Sequence, residues 1–228
     1  MSTKPVEVTV EVTSDVVCPW CWVGKRHLDI ALEQVKDEFN VHVRWRPFNL
    51  NPWLPEEGMN FKEFAITKFG EDGLKRFTSG QVPFFEKGKA VGLKFNYTNN
   101  TRVVPTKKAH ILLEYAHREG KQHQLKEKLF GAYYTDGYDI SDHLVLGDLL
   151  ESVGLNKDEG LSKLSDPEYI KHYEEEMIEN KRKGISGVPN FELYLSNSPS
   201  GVRQSFSGAQ PVETFIAVLR RLKLLAKV

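Results

Sequence analysis

The 228 residues contain only two cysteines, Cys18 and Cys21, spaced as C-x-x-C within Val17-Cys18-Pro19-Trp20-Cys21. The valines before them alternate with polar residues as in a strand, and the apolar residues after them recur at helical spacing, so the pair stands where a strand gives way to a helix. A cysteine at a helix start faces unpaired backbone N–H groups and the positive end of the helix dipole. A thiolate is favoured there, and the thiolate is the nucleophile of disulfide exchange. Cys18 is therefore expected to be the more exposed and more acidic, attacking sulfur. Cys21, one helical turn deeper, is expected to resolve a mixed disulfide on Cys18. Pro19 suits the first helical turn, where its missing donor has no intrahelical partner anyway.

Two other readings of the pair stay open. A zinc half-site needs two more ligands, and with no further cysteine these must come from the seven histidines; His110, His117 and His123 lack the usual H-x(3-5)-H spacing. No metal site is expected on that ground. Two inert thiols are the other alternative. Asp15, three residues before Cys18, reads as an exposed carboxylate or a helix cap. A second element is Gly184-Ile185-Ser186-Gly187-Val188-Pro189-Asn190-Phe191, in which a proline immediately precedes a strand; alone, it is tolerable as a strand-start residue.

These segments must be held by regular elements. Val6, Val8, Val10 and Val12 alternate with polar residues as a first strand. Leu28, Ala31, Leu32, Val35 and Phe39 give a helix from about Cys18 to Phe39, and Val41, Val43 and Trp45 give a second strand ending at Pro47. Strand, helix and strand in that order predict a parallel pair. From Pro52 to Gly184 the apolar stripes have helical period, with Ser141, Asn156 and Asp166 as N-caps and Gly120, Gly154 and Gly184 at helix ends. No strand of the central sheet is expected from this block. Strands return at Phe191 to Leu195 and Arg203 to Ser207, joined by a turn from Ser196 to Gly201. A final helix is expected from Pro211 to about Ala226, with Phe215, Val218, Leu219 and Leu222 inward.

Hydrophobic residues make up 40% and charged residues 27% of the chain, a globular composition, and Lys+Arg and Asp+Glu each total 31. That balance provides no global field for nucleic acid or an anionic membrane, so neither is expected as a partner. The longest uncharged apolar run, Val16 to Val23, is eight residues, against the roughly 20 that span a bilayer. The N-terminal residues pass directly into alternating valines without a hydrophobic leader, so a cytoplasmic location is expected.

Ser14-Asp15-Val16-Val17-Cys18-Pro19-Trp20-Cys21-Trp22-Val23-Gly24-Lys25, Arg46-Pro47-Phe48-Asn49-Leu50-Asn51-Pro52, Gly187-Val188-Pro189-Asn190-Phe191 and Ser207-Gly208-Ala209-Gln210 together resemble the DsbA-type thiol-disulfide oxidoreductases, in their FrnE-like branch. The resemblance covers nearly the whole chain. It implies an α/β, thioredoxin-like fold, β-α-β then β-β-α, with a large helical insertion between the second and third strands. On that basis residues 1–51 and 185–228 are the two parts of the thioredoxin-like domain and 52–184 the insertion. It also implies a cis Val188-Pro189 peptide against Cys18 and a substrate backbone pairing with Val188. Trp20, between the cysteines, carries no charge to stabilise a thiolate, and is expected, with Val188 and Pro189, to contact substrate.

The expected activity is protein-disulfide oxidation or reduction through the Cys18/Cys21 couple, with protein or small thiol and disulfide substrates. No tightly bound cofactor is expected, and glutathione is the one co-substrate left open. Two alternatives are a glutathione-dependent transferase or isomerase, of the kappa-class or 2-hydroxychromene-2-carboxylate isomerase type, and a non-enzymatic peptide-binding module using Trp20, Trp22, Trp45, Phe48 and Trp53. In the former, the loop before the last helix usually offers a serine and an aspartate, where this chain has Ala209 and Gln210.

Overall fold

The structure is a computed structural model and describes residues 5–97, 101–198 and 201–225. Strand β1 (Val6–Ser14) lies at the centre of a four-stranded sheet. It pairs in parallel with β2 (Phe39–Pro47) and antiparallel with β5 (Asn190–Leu195), which in turn pairs antiparallel with β6 (Arg203–Ser207), giving the order β2-β1-β5-β6. The alternation of β1 puts Val8, Val10 and Val12 in full burial on one face. Helix α1 (Pro19–Gln34) makes the parallel crossover between β1 and β2. On that same face it meets α9 (Val212–Leu225), and Leu28, Ala31, Phe215, Leu219 and Leu222 join the valines in one core.

The helical pattern after Cys18 runs on too far. The helix stops at Gln34, and Phe39 begins β2, although Val35 and Phe39 are both core residues. The turn from Val35 to Glu38 keeps helical spacing, with Phe39 N donating to Val35 O, so the stripe outlives the helix. Ala226 and, in the β5–β6 turn, Pro199 and Ser200 lie outside the described residues.

Between β2 and β5 the chain forms α2 (Phe61–Thr78), α3 (Pro83–Ala90), α4 (Lys107–Arg118), α5 (Gln122–Gly131), α6 (His143–Ser152), α7 (Lys157–Ser162) and α8 (Pro167–Arg182). Gly70, at φ 72° inside α2, breaks that helix with a kink. Two short strands, β3 (Met59–Asn60) and β4 (Arg102–Val103), pair with each other; among the described residues neither they nor any other part of this block enters the central sheet. Asn156 and Asp166 cap their helices by accepting backbone N–H groups. At α6 the cap is Asp142 rather than Ser141, because its carboxylate accepts from both Leu144 and Val145. Gly120, Gly154 and Gly184 follow helix ends at positive φ, the conformation for which glycine is suited.

Candidate active site

Cys18 is the N-cap residue of α1 in extended conformation, and no side chain caps that helix end. Both sulfurs are free thiols, Cys18 4% and Cys21 0% exposed. Cys21 faces the core. Cys18 opens onto a cavity of about 620 Å³ whose wall also includes Pro19, Trp20, Val188 and residues of α2. Opposite Cys18 runs the segment before β5, where the Val188–Pro189 peptide is cis and Val188 O accepts a hydrogen bond from the Cys18 thiol at 3.6 Å. All five predicted site residues, Cys18, Trp20, Cys21, Val188 and Pro189, thus converge at the start of α1 and the strand beside it.

The packing behind this segment is tight. Gly208, at φ 82°, donates its N–H to Pro189 O at 2.8 Å, and a Cβ at Gly24 would stand 3.3 Å from Pro189 Cγ and 3.2 Å from Phe191 Cζ. Gly24→Val drives two further carbons into that contact. It should cost about 1–3 kcal/mol of stability and push the Val188 carbonyl away from Cys18. Chemical denaturation together with the rate of Cys18 alkylation checks both halves.

Asp15 corrects a sequence expectation. It is neither exposed nor a helix cap: it is fully buried, its Oδ2 accepts from Leu50 N at 2.8 Å, and its Oδ1 lies 3.3 Å from His110 Nε2. His110 Nε2 also donates to Phe48 O at 3.0 Å, which places its proton on that nitrogen. Burial pushes the Asp15 carboxyl up, but the His110 and Leu50 bonds outweigh it and hold the group below its ordinary range. His110 is pushed down by burial, so both favour the pairing of a neutral imidazole with a carboxylate. This pair ties α4 to the loop that carries Cys18.

Burial and the neighbouring sulfur act on both thiols. Cys18 is pushed well above the ordinary thiol value by its hydrogen bond with Cys21, by burial and by the charge of its partner. Cys21 is pushed up by burial, against which its interaction with Cys18 and the positive charge of Lys126 act to lower it. Lys126 lies more than a hundred positions from the cysteines in sequence, outside any local pattern at the helix start.

Cavity residues that the sequence reading missed come chiefly from α2 and α3, whose stripes were not singled out: Phe61, Phe64, Phe69, Phe77 and Phe84 make its wall aromatic. The aromatic clustering of that stretch was the available signal. Lys68 is the half-buried cation on this wall; its ammonium donates to Asn51 Oδ1 and stands 5.3 Å from the Phe64 ring centroid. Among the described residues no carboxylate pairs with it. Of the tryptophans, Trp22 and Trp45 are core, Trp20 is half-buried and Trp53 is 46% exposed, so the five aromatics do not form one exposed face. His123 accepts from Trp45 Nε1 through Nδ1 and donates to Asp29 through Nε2, a structural role. Among the described residues no cluster of three or more His, Cys, Asp or Glu could hold a metal, and no helix is long and apolar enough to cross a membrane.

The DSBA-like thioredoxin domain family matches residues 9–220. The uncharacterized protein YwbO of Bacillus subtilis is 30% identical over 81% of this chain and 86% of its own length. Among solved structures, the probable DsbA oxidoreductase from Streptomyces coelicolor is 27% identical with a TM-score of 0.80, covering 94% of this chain and 89% of that one. The cytosolic disulfide reductase DsbM from Pseudomonas aeruginosa with GSH is 19% identical with a TM-score of 0.60, covering 93% and 98%.

Proposed function

We propose, for a chain that belongs to the DSBA-like thioredoxin domain family, a protein-disulfide oxidoreductase that works through a mixed disulfide on Cys18. The family match and the likeness to the probable DsbA oxidoreductase from Streptomyces coelicolor support thiol-disulfide exchange as the general activity. The observation that supports the finer reading is the asymmetry of the two sulfurs: Cys18 faces both the cavity and the Val188 carbonyl, whereas Cys21 is sealed in the core one turn behind it.

In the reducing direction the Cys18 thiolate attacks a substrate disulfide, the substrate S–S bond breaks, and one substrate thiolate leaves. Cys21 then attacks Cys18 Sγ; the Cys18–Cys21 bond forms as the bond to substrate breaks. Two electrons pass from the dithiol to the substrate, and each leaving thiolate takes up a proton. The oxidising direction is the reverse. Val188 and Pro189 present a carbonyl and no N–H toward the sulfur, which suits an extended substrate laid alongside, and Trp20 offers it an apolar contact.

Glutathione fits this site as the small thiol partner. The Lys68 ammonium on the cavity wall, bonded to the neutral Asn51 amide and to no carboxylate among the described residues, would take a carboxylate of a thiol whose sulfur reaches Cys18, and the structural neighbour DsbM was solved with GSH. Lys68→Ala should raise the glutathione KM about tenfold, the loss of one charge-assisted hydrogen bond, with kcat little changed. Steady-state turnover against glutathione concentration checks it.

The function is tested by insulin reduction and scrambled-ribonuclease refolding, each with and without glutathione. The expected result is turnover by the unmutated chain and none by the Cys18→Ser, Cys21→Ser double variant. No turnover by the unmutated chain in either assay, with unfolded peptide bound equally by the unmutated chain and the double variant, would make the chain a peptide-binding module instead.

A further inference from the structure

The segment after α5, Ala132–Asp136, winds as a single π-helical turn, a form frequent at functional sites. It sends two adjacent tyrosines to different places. Tyr134 enters the core, where its ring stacks on Trp22 at 5.6 Å and its hydroxyl is enclosed. Tyr133 is 5% exposed and stands on the wall of the cavity that Cys18 faces. Its hydroxyl is not among the enclosed atoms and donates to no acceptor among the described residues, so it opens onto the cavity.

Asn51 repeats that arrangement on the same wall. It is 6% exposed, and its Oδ1 accepts from the Lys68 ammonium, which fixes the orientation of the amide. The two Nδ2 hydrogens then find no acceptor among the described residues. A buried polar group without a partner costs stability, so folding alone does not account for two such donors on one cavity wall. The charges lean the same way: Lys68 and Arg76 are cationic, whereas the wall's carboxylate, Asp72, lies 3.3 Å from Lys75. Around these groups stand the rings of Phe61, Phe64, Phe69, Phe77 and Phe84. The complement of such a wall is an anion that accepts hydrogen bonds and carries a flat, apolar body. Glutathione answers Lys68 with a carboxylate but brings no apolar body to the rings.

We propose that this cavity is a substrate subsite for low-molecular-weight thiols and disulfides bearing an aromatic carboxylate, with the Tyr133 hydroxyl, the Asn51 amide and the Lys68 ammonium as the donors that hold the carboxylate. The inference rests on the dithiol reading above and names the small-molecule class that it takes. The aromatic body packs against the phenylalanine rings, and because Cys18 shares the cavity, the sulfur of a molecule seated there stays within its reach. Exchange at Cys18 then proceeds as already written, with no further reactant. Tyr133 and Asn51 set which substrate is held and take no part in the transfer of sulfur.

The test uses a sulfur-free probe, 2-naphthoate, so that it does not depend on turnover. Naphthoate should protect Cys18 of the reduced chain from iodoacetamide, an uncharged reagent, with a saturable dependence on concentration. The uncharged 2-naphthamide, with the same rings, should need at least about ten times the concentration for equal protection, the loss of a charge-assisted contact. Tyr133→Phe should raise the half-protecting naphthoate concentration about tenfold and leave the Tm unchanged or raised, because the hydroxyl it removes leaves no partner behind. A tyrosine that only packs would leave the protection curve in place. Absence of protection, equal protection by the amide, or an unmoved curve in Tyr133→Phe overturns the proposal. Should Tyr133→Phe fail to fold, the comparison of naphthoate with naphthamide in the unmutated chain decides it. A chain protected as expected but without disulfide turnover would sink the oxidoreductase reading and leave the aromatic-carboxylate site standing, whereas a chain that reduces insulin yet is not protected would sink this inference alone.

Discussion

Cys21→Ser accumulates substrate as a stable mixed disulfide on Cys18 and falls to the rate of uncatalysed exchange, whereas Cys18→Ser forms no adduct through Cys21. The expectation follows from access: Cys18 lines the cavity, while Cys21 has no exposed surface and no place on the cavity wall. A serine at 21 lacks a nucleophile for the second displacement, so the first product cannot be released by the chain itself. It also removes the neighbour whose hydrogen bond and charge push the Cys18 thiol up, so capture should be complete and no slower than the first step of the unmutated chain. Non-reducing electrophoresis with peptide mapping of the adduct distinguishes the sulfurs. Adducts on Cys21 in the Cys18→Ser chain would assign the nucleophile the other way round.

Trp22→Ala should be the most destabilising single change in the site's support, at about 3–5 kcal/mol. Trp22 follows Cys21 in α1 and is 4% exposed, with its ring stacked on Phe130 at 6.0 Å and Tyr134 at 5.6 Å and edge-on to Phe95 at 5.3 Å. Its Nε1–H donates to Glu127 at 3.2 Å, so one side chain joins the cysteine helix to α5 and the segments around it. Truncation to alanine leaves a cavity among rings that belong to different elements and cannot easily close over it. For a chain of this length the loss corresponds to a Tm lower by roughly 6–20 °C. Trp22→Phe keeps most of the ring packing and should cost far less. Thermal melts of the two variants check the pair, and an alanine variant melting within about 2 °C of the unmutated chain would mean that α1 is anchored elsewhere.

The α/β fold was legible where one pattern served one neighbour. The period-2 valines of β1, the apolar stripe of α9 and the glycines at helix ends depend on local chain and one core face, and all lie as expected. Cys18, Cys21 and Val188-Pro189 were legible as a constellation because C-x-x-C at a strand-to-helix junction is chemically specific. What escaped were properties set by partners remote in sequence. Asp15 is buried because Leu50 and His110 reach it, and the cavity that Cys18 faces is walled by α2 and α3, more than forty positions further along the chain. The two-residue strands β3 and β4 are too short to show a period at all. The aromatic cavity wall escaped for another reason: α2 is kinked at Gly70, and its phenylalanines serve both a small core cluster with Val103 and the cavity wall, which blurs the helical stripe.

The central claim, that Cys18 and Cys21 are a working redox couple, is tested most directly by equilibrating the chain against mixtures of reduced and oxidised glutathione and counting its free thiols. The account predicts both thiols free at the reducing end, none at the oxidising end, and a single reversible two-electron transition between them, with the disulfide mapped within one chain as Cys18–Cys21. Thiols that stay free across the whole range, or a disulfide found only between two chains, would contradict it.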